Sequence, residues 1–186
     1  MKRFLTIILS LALMLSLCVS PAASAEESIQ LPKSWVRRGV FLIRTAGFYS
    51  ESVRFLSYAF QNVSHVTYGE TSVLAGKLAK SAQLNDILQD ALEKGLTESE
   101  GVASFYDGSD LEFSIGMAEY AMRIENENGE MIAVFILKDT YDFTEIRSSG
   151  SISDLLNNIG HKLQEEGTIK PYNWLVKVVI PLEETV

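Results

Sequence analysis

Cysteine is almost absent from this chain: Cys18 is the only one, and it lies inside an apolar N-terminal run. A disulfide framework, a thiol nucleophile and a thiolate metal site are therefore excluded from everything after that run. Histidine is nearly as scarce. His65 and His161 stand far apart, with no His-x-His or His-x-x-x-His spacing of the kind zinc uses. Basic side chains are outnumbered, 16 against 24 acidic ones, for a formal net charge of −8. That balance argues against nucleic acid or an anionic membrane surface as a non-specific partner. After the N-terminal run no apolar stretch approaches the ~20 residues of a spanning helix, so stable membrane insertion is not expected. Low-complexity segments, linkers and fixed-period repeats are missing too. There is no Gly-x-Ser-x-Gly elbow, and Gly95 to Gly101 lacks the lysine of a phosphate loop.

What is present begins with an export signal. Lys2 and Arg3 precede an apolar stretch from Phe4 to Val19, Pro21 breaks any helix, and Ala23-Ser24-Ala25 offers small side chains to a signal peptidase. A membrane anchor would need a longer core. Lipidation at Cys18 would need a small residue where Leu17 stands. The sequence predicts a cleaved signal peptide over residues 1–25 and one α+β domain over 26–186, secreted or held in the periplasm or cell-wall space. Loss of Lys2 and Arg3 takes the net charge to −10.

The first half of that domain reads helical. Ser34–Ala46 mixes Trp35, Val36, Val40 and Phe41 with Arg37, Arg38 and Arg44, and a second helix is expected over about Ser50–Asn62. The arginines, with Arg54, could meet phosphate headgroups, although a solvated cationic stripe is the ordinary reading. A third helical stretch, Thr71–Lys94, carries a possible break near Ser81 and ends at Gly95, a C-terminal cap.

Then the period changes. Ala118–Glu127 and Glu130–Lys138 flank Asn128-Gly129, a hairpin signal, because a two-residue primed turn needs positive φ at both positions. Tyr120, Met122 and Ile124 alternate with Glu119, Arg123 and Glu125. Met131–Leu137 is apolar on both faces, which predicts a central strand covered on both sides. Val102–Phe105 and Leu111–Ile115 are expected as shorter strands. A helix with Ile152, Leu155, Leu156, Ile159 and Leu163 on one face should end at Gly167, before a last strand from Tyr172 to Ile180. The expected fold is α+β: a helical N-terminal half packed on a small, mostly antiparallel sheet, with one helix before the last strand.

One polar cluster stands out, Asp139-Thr140-Tyr141-Asp142-Phe143 with Arg147 downstream, where the apolar strand ends. Two carboxylates three residues apart could hold a hard cation, or divide into a general base and a metal ligand. Tyr141 could donate to a leaving oxygen and Arg147 could grip a phosphate. The competing reading is turn chemistry, with the aspartates accepting backbone N–H groups and the aromatics in the core. His161 follows on the next helix, where it either folds back beside Arg147 or edges an apolar face with a single hydrogen bond.

The run Asp139-x-Tyr141-Asp142-Phe143 with a downstream arginine resembles the signature of colicin M-type bacteriocins. That resemblance implies hydrolysis of the peptidoglycan precursor lipid II between its polyprenyl chain and its pyrophosphate, with magnesium as cofactor. It places Asp139, Tyr141, Asp142 and Arg147 on essential positions, with Asp139 and Asp142 as metal ligands. Ile146 stands where the family has a histidine, for which His161 could substitute, and the Asp142-to-Arg147 spacing is shorter. The partners this implies are a lipid-linked envelope precursor and an immunity or envelope protein. The alternative is a non-catalytic secreted domain that binds a partner.

Overall fold

The computed structural model describes residues 50–106, 109–144 and 152–182. The expected export signal, the Ser34–Ala46 segment and Arg147 lie outside them. Helix α1, Ser50–Phe60, leads to the short strand β1, His65–Tyr68. Helices α2, Val73–Ala79, and α3, Ala82–Glu93, follow as the expected stretch broken at Ser81. The break has a local cause: the Ser81 hydroxyl accepts the Leu84 N–H and caps α3, just as Ser72 caps α2. Gly95 ends α3 at φ +66°.

Strand β2, Glu98–Ser104, helix α4, Asp110–Ser114, the hairpin strands β3, Met117–Glu127, and β4, Glu130–Tyr141, helix α5, Ile152–Glu165, and strand β5, Tyr172–Pro181, complete the order. The fold is α+β, with a five-stranded sheet in the order β1-β5-β4-β3-β2. Every neighbouring pair is antiparallel except β1 and β5.

One expectation needed correction, and one strand had not been anticipated. Leu111–Ile115 is not a strand but helix α4 and its cap. The Ser109 hydroxyl accepts the Leu111 N–H, and the Ser114 hydroxyl donates to the Asp110 carbonyl, so local side-chain bonds override the alternating apolar pattern. Residues 65–68, assigned to no element from sequence, form β1. Its partner β5 lies more than a hundred residues downstream, beyond the reach of local pattern.

The hairpin closes on Asn128 at φ +56° and Gly129 at φ +93°, with Glu127 opposite Glu130 and the Asn126 side chain accepting the Gly129 N–H at 3.0 Å. A side chain at 129 would meet nothing within 4 Å, so the requirement for glycine is one of backbone alone. Gly129→Val should therefore cost about 1 kcal/mol or more, through positive φ, and chemical denaturation reads it. An unchanged midpoint would mean that the turn relaxes to another type.

Alternation sorts the sheet. Ala118 and Met122 of β3, Ala133, Phe135 and Leu137 of β4, and Tyr172, Trp174, Val176 and Val178 of β5 join one buried cluster with Phe55, Leu74, Leu78, Leu84, Leu88 and Leu163 from the helices. On the other face Ile132 is buried, while Val134 and Ile136 are half-buried. Ion pairs lie over this face, Lys138 with Glu119 at 3.4 Å and Arg123 with Glu98 at 3.3 Å. Their alkyl stems supply part of the cover that the apolar run led us to expect.

Candidate functional site

The period of two places the cluster. Residues 133, 135 and 137 of β4 face the helices, so 139 and 141 face them too, at the point where the helical layer ends. Asp139 sits opposite Trp174 and Tyr141 opposite Tyr172. Thr140 points the other way and donates to the Asn173 side-chain oxygen at 2.9 Å. The strand stops at Tyr141, and Asp142 and Phe143 continue over the rim.

The aromatic members are anchors. Tyr141 packs in a ring cluster with Phe55 at 5.3 Å, Tyr172 at 5.4 Å and Phe143 at 5.3 Å between centroids. Burial pushes its phenol far above the ordinary range, so it stays protonated and able to donate. The Phe143 ring lies against Gly160 of α5, in the space where any side chain at 160 would begin.

Between these anchors the carboxylates meet. Asp139 and Asp142 both line a cleft of about 210 Å³, together with Glu112, Ser114, Tyr141, Phe143, Asn157 and Trp174. Partial burial raises the Asp139 carboxyl above its ordinary value. The neighbouring Asp142 and Glu119 carboxylates add to this, and the Thr140 N–H offsets part of it. None of the described lining residues is basic. Among the described residues, no group of three or more histidine, aspartate or glutamate side chains is arranged to hold a metal ion by itself. Of the three acidic residues that line the cleft, Asp139 and Asp142 are near enough to influence each other; magnesium binds through one or two carboxylates where phosphate oxygens supply further ligands.

Of the residues singled out from sequence, Asp139, Tyr141 and Asp142 thus come together. His161 reaches the back of the cluster rather than the cleft. One ring nitrogen, Nδ1, bonds the Phe143 carbonyl at 3.1 Å, and Nε2 lies 3.6 Å from Glu165. His65 is on β1, bonded to Thr67 and apart from the site. Arg54 pairs with the buried Glu51 at 3.1 Å.

Glu112, Ser114, Asn157 and Trp174 were not anticipated at the site. Glu112 and Ser114 arrive on the helix that had read as a strand. Asn157, Gly160, His161 and Gln164 follow helical spacing, a polar stripe with a glycine in it, which was a legible signal. Comparison of the chain with protein-family models, with curated proteins and with solved structures gives no match. No helix among the described residues is long and apolar enough to cross a membrane.

Proposed function

We propose that this chain is an exported bacterial cell-envelope protein, a hydrolase of phosphoric ester or pyrophosphate linkages that acts on a polyprenyl-pyrophosphate-linked peptidoglycan precursor with magnesium as cofactor. The observation that carries this reading is the single cleft shared by Asp139 and Asp142 at the end of β4. A cleft walled by carboxylates, with no basic group among its described residues, repels a bare phosphate; a phosphate-bearing substrate needs a cation there. Asp139 and Asp142 are the residues that would hold magnesium, which supplies positive charge to the phosphate oxygens. Tyr141, kept protonated, can donate a hydrogen bond to a departing oxygen. Trp174 and Phe143 give the same cleft apolar wall. The motif's resemblance to the colicin M-type signature supports the same substrate class, with Arg147 and His161 in supporting roles. The N-terminal export signal supports a site of action in the periplasm or cell-wall space, and an immunity or envelope protein as partner.

A second reading has an observation of its own. Asp139 receives the Thr140 N–H and Tyr141 packs among core rings, as the turn of a non-catalytic binding domain would require. Asp142→Asn separates the two, because it keeps shape while removing charge. Chain beginning at Glu26, wild type and variant, is incubated with polyprenyl-pyrophosphate-linked precursor and magnesium, and release of the lipid alcohol is followed. The hydrolase reading predicts release by wild type and a loss of about 100-fold or more in the variant. No release by wild type, or equal release by both, leaves the binding domain.

A further inference from the structure

Helix α5 holds the segment that follows Asp142 through side-chain hydrogen bonds and one bare stretch of its backbone. Gln164 accepts the Phe143 N–H at 3.1 Å and approaches the Phe143 carbonyl with its own amide nitrogen at 3.4 Å. His161 bonds the same carbonyl, and the Asn157 amide donates to the Thr144 carbonyl. Gly160, on the same helical face, provides the bare backbone on which the Phe143 ring rests. Residues 157, 160, 161 and 164 are one stripe of α5, and all of them act on Phe143 or Thr144.

Residues 142–144 have no ladder of their own, because β4 ends at Tyr141. A backbone that leaves a sheet without regular hydrogen bonds is free to swing unless other groups hold it. Asp142 lies between two fixed points. On one side is Tyr141 in its ring cluster, on the other Phe143 in the grip of α5.

We propose that this stripe of α5 is a positioning device, and that Gln164 is the positioning residue that fixes where the Asp142 carboxylate stands in the cleft. The importance of that position for hydrolysis rests on the function proposed above; the clamp itself does not. Gln164 is suited to the task because its amide serves both groups of one peptide residue, accepting from the N–H and donating to the C=O.

The test uses Gln164→Met, which keeps chain length and removes both bonds, and Gln164→Glu, which keeps the acceptor for the Phe143 N–H. Backbone order parameters are measured by NMR relaxation in the wild-type chain and both variants. In Gln164→Met the amides of Asp142 and Phe143 should fall from about 0.85 to below about 0.6, while Phe135 and Val176 stay rigid. Gln164→Glu should recover most of the order. If wild type hydrolyses the precursor, Gln164→Met should lower kcat/KM about tenfold, because the Asp142 carboxylate and the Phe143 wall both lose their fixed position. Unchanged order at Asp142, or a loss spread evenly over the sheet, overturns the positioning role. A wild type without hydrolase activity overturns the function proposed above, and the order parameters still decide the clamp.

Discussion

Phe55→Ala should destabilise the fold by about 4 kcal/mol, the loss expected when a fully buried ring is truncated. Phe55 is completely buried, and its ring meets four others, Tyr68 at 5.7 Å, Trp174 at 5.5 Å, Tyr172 at 6.2 Å and Tyr141 at 5.3 Å. It is the point at which α1 enters the sheet. Removing it deletes apolar area and opens a space that four rigid rings cannot close, so the cavity adds to the transfer cost. The Tyr172 hydroxyl donates to the Phe55 carbonyl at 3.0 Å, a bond that backbone retains, so the measured loss is that of the ring. Urea unfolding followed by tryptophan fluorescence is the direct measurement, since Trp174 is one of the contacts. A loss under about 1 kcal/mol would show that the rings repack into the space. The effect should reach the cleft as well, because Tyr141 loses the partner on which its ring leans.

Asp110→Ala should cost about 3 kcal/mol although its carboxylate is at the margin of the core. One oxygen accepts the Glu51 N–H at 2.9 Å; the other accepts the Ser52 N–H at 3.0 Å and the Ser52 hydroxyl at 2.7 Å. Asp110 thus acts as the cap of α1 from a position 58 residues away, near the start of another helix. Lys77 of α2 completes the arrangement at 2.7 Å, and since that lysine is about a third exposed its share is discounted for screening. Fully buried Glu51, 3.6 Å from Lys77 and 3.1 Å from Arg54, depends on these cations staying in place. Truncation would leave two helix N–H groups unsatisfied and loosen contacts that tie α1, α2 and α4 through charge.

The pH dependence follows. Burial alone would raise the Asp110 carboxyl, but Lys77, the Glu51 and Ser52 N–H groups and the Ser52 hydroxyl outweigh it and hold it below its ordinary 3.8. A carboxyl lowered in the folded state stabilises above its unfolded value and stops doing so as pH falls through the folded one. The gap between wild type and Asp110→Ala should be full near neutrality and narrow below pH 3.8. A gap constant down to pH 2 would mean that charge contributes nothing to it.

The aspartate cluster was visible in the sequence because it is contiguous: five residues that end an apolar strand, two of them acidic. Alternation alone turned Asp139 and Tyr141 towards the helices, and Asn128-Gly129 fixed the register of the hairpin that carries them. The walls of the cleft were hidden for a different reason. Leu111–Ile115 has the apolar alternation of a strand, and it becomes a helix through Ser109, Ser114 and the bonds that Asp110 accepts from α1. Ser114 was in view, but the start of α1 lies 58 residues away and cannot be weighed from a window of five residues.

Local chemistry determined most elements of this protein. Asn128-Gly129 supplies the positive φ of the hairpin turn, Ser72, Ser81 and Ser109 cap helix starts, and the half-buried strands keep a period of two; each condition is met within a few residues of chain. Tertiary structure alone decided that β1 joins β5 in parallel, that Asp110 caps a helix 58 residues away, and that α5 lays Asn157, Gly160, His161 and Gln164 along Phe143 and Thr144. In these cases one partner's hydrogen-bonding need is satisfied by groups far off in the chain. Which distant group arrives is settled by how the whole sheet and its helices bury their apolar faces, a choice that no local pattern records.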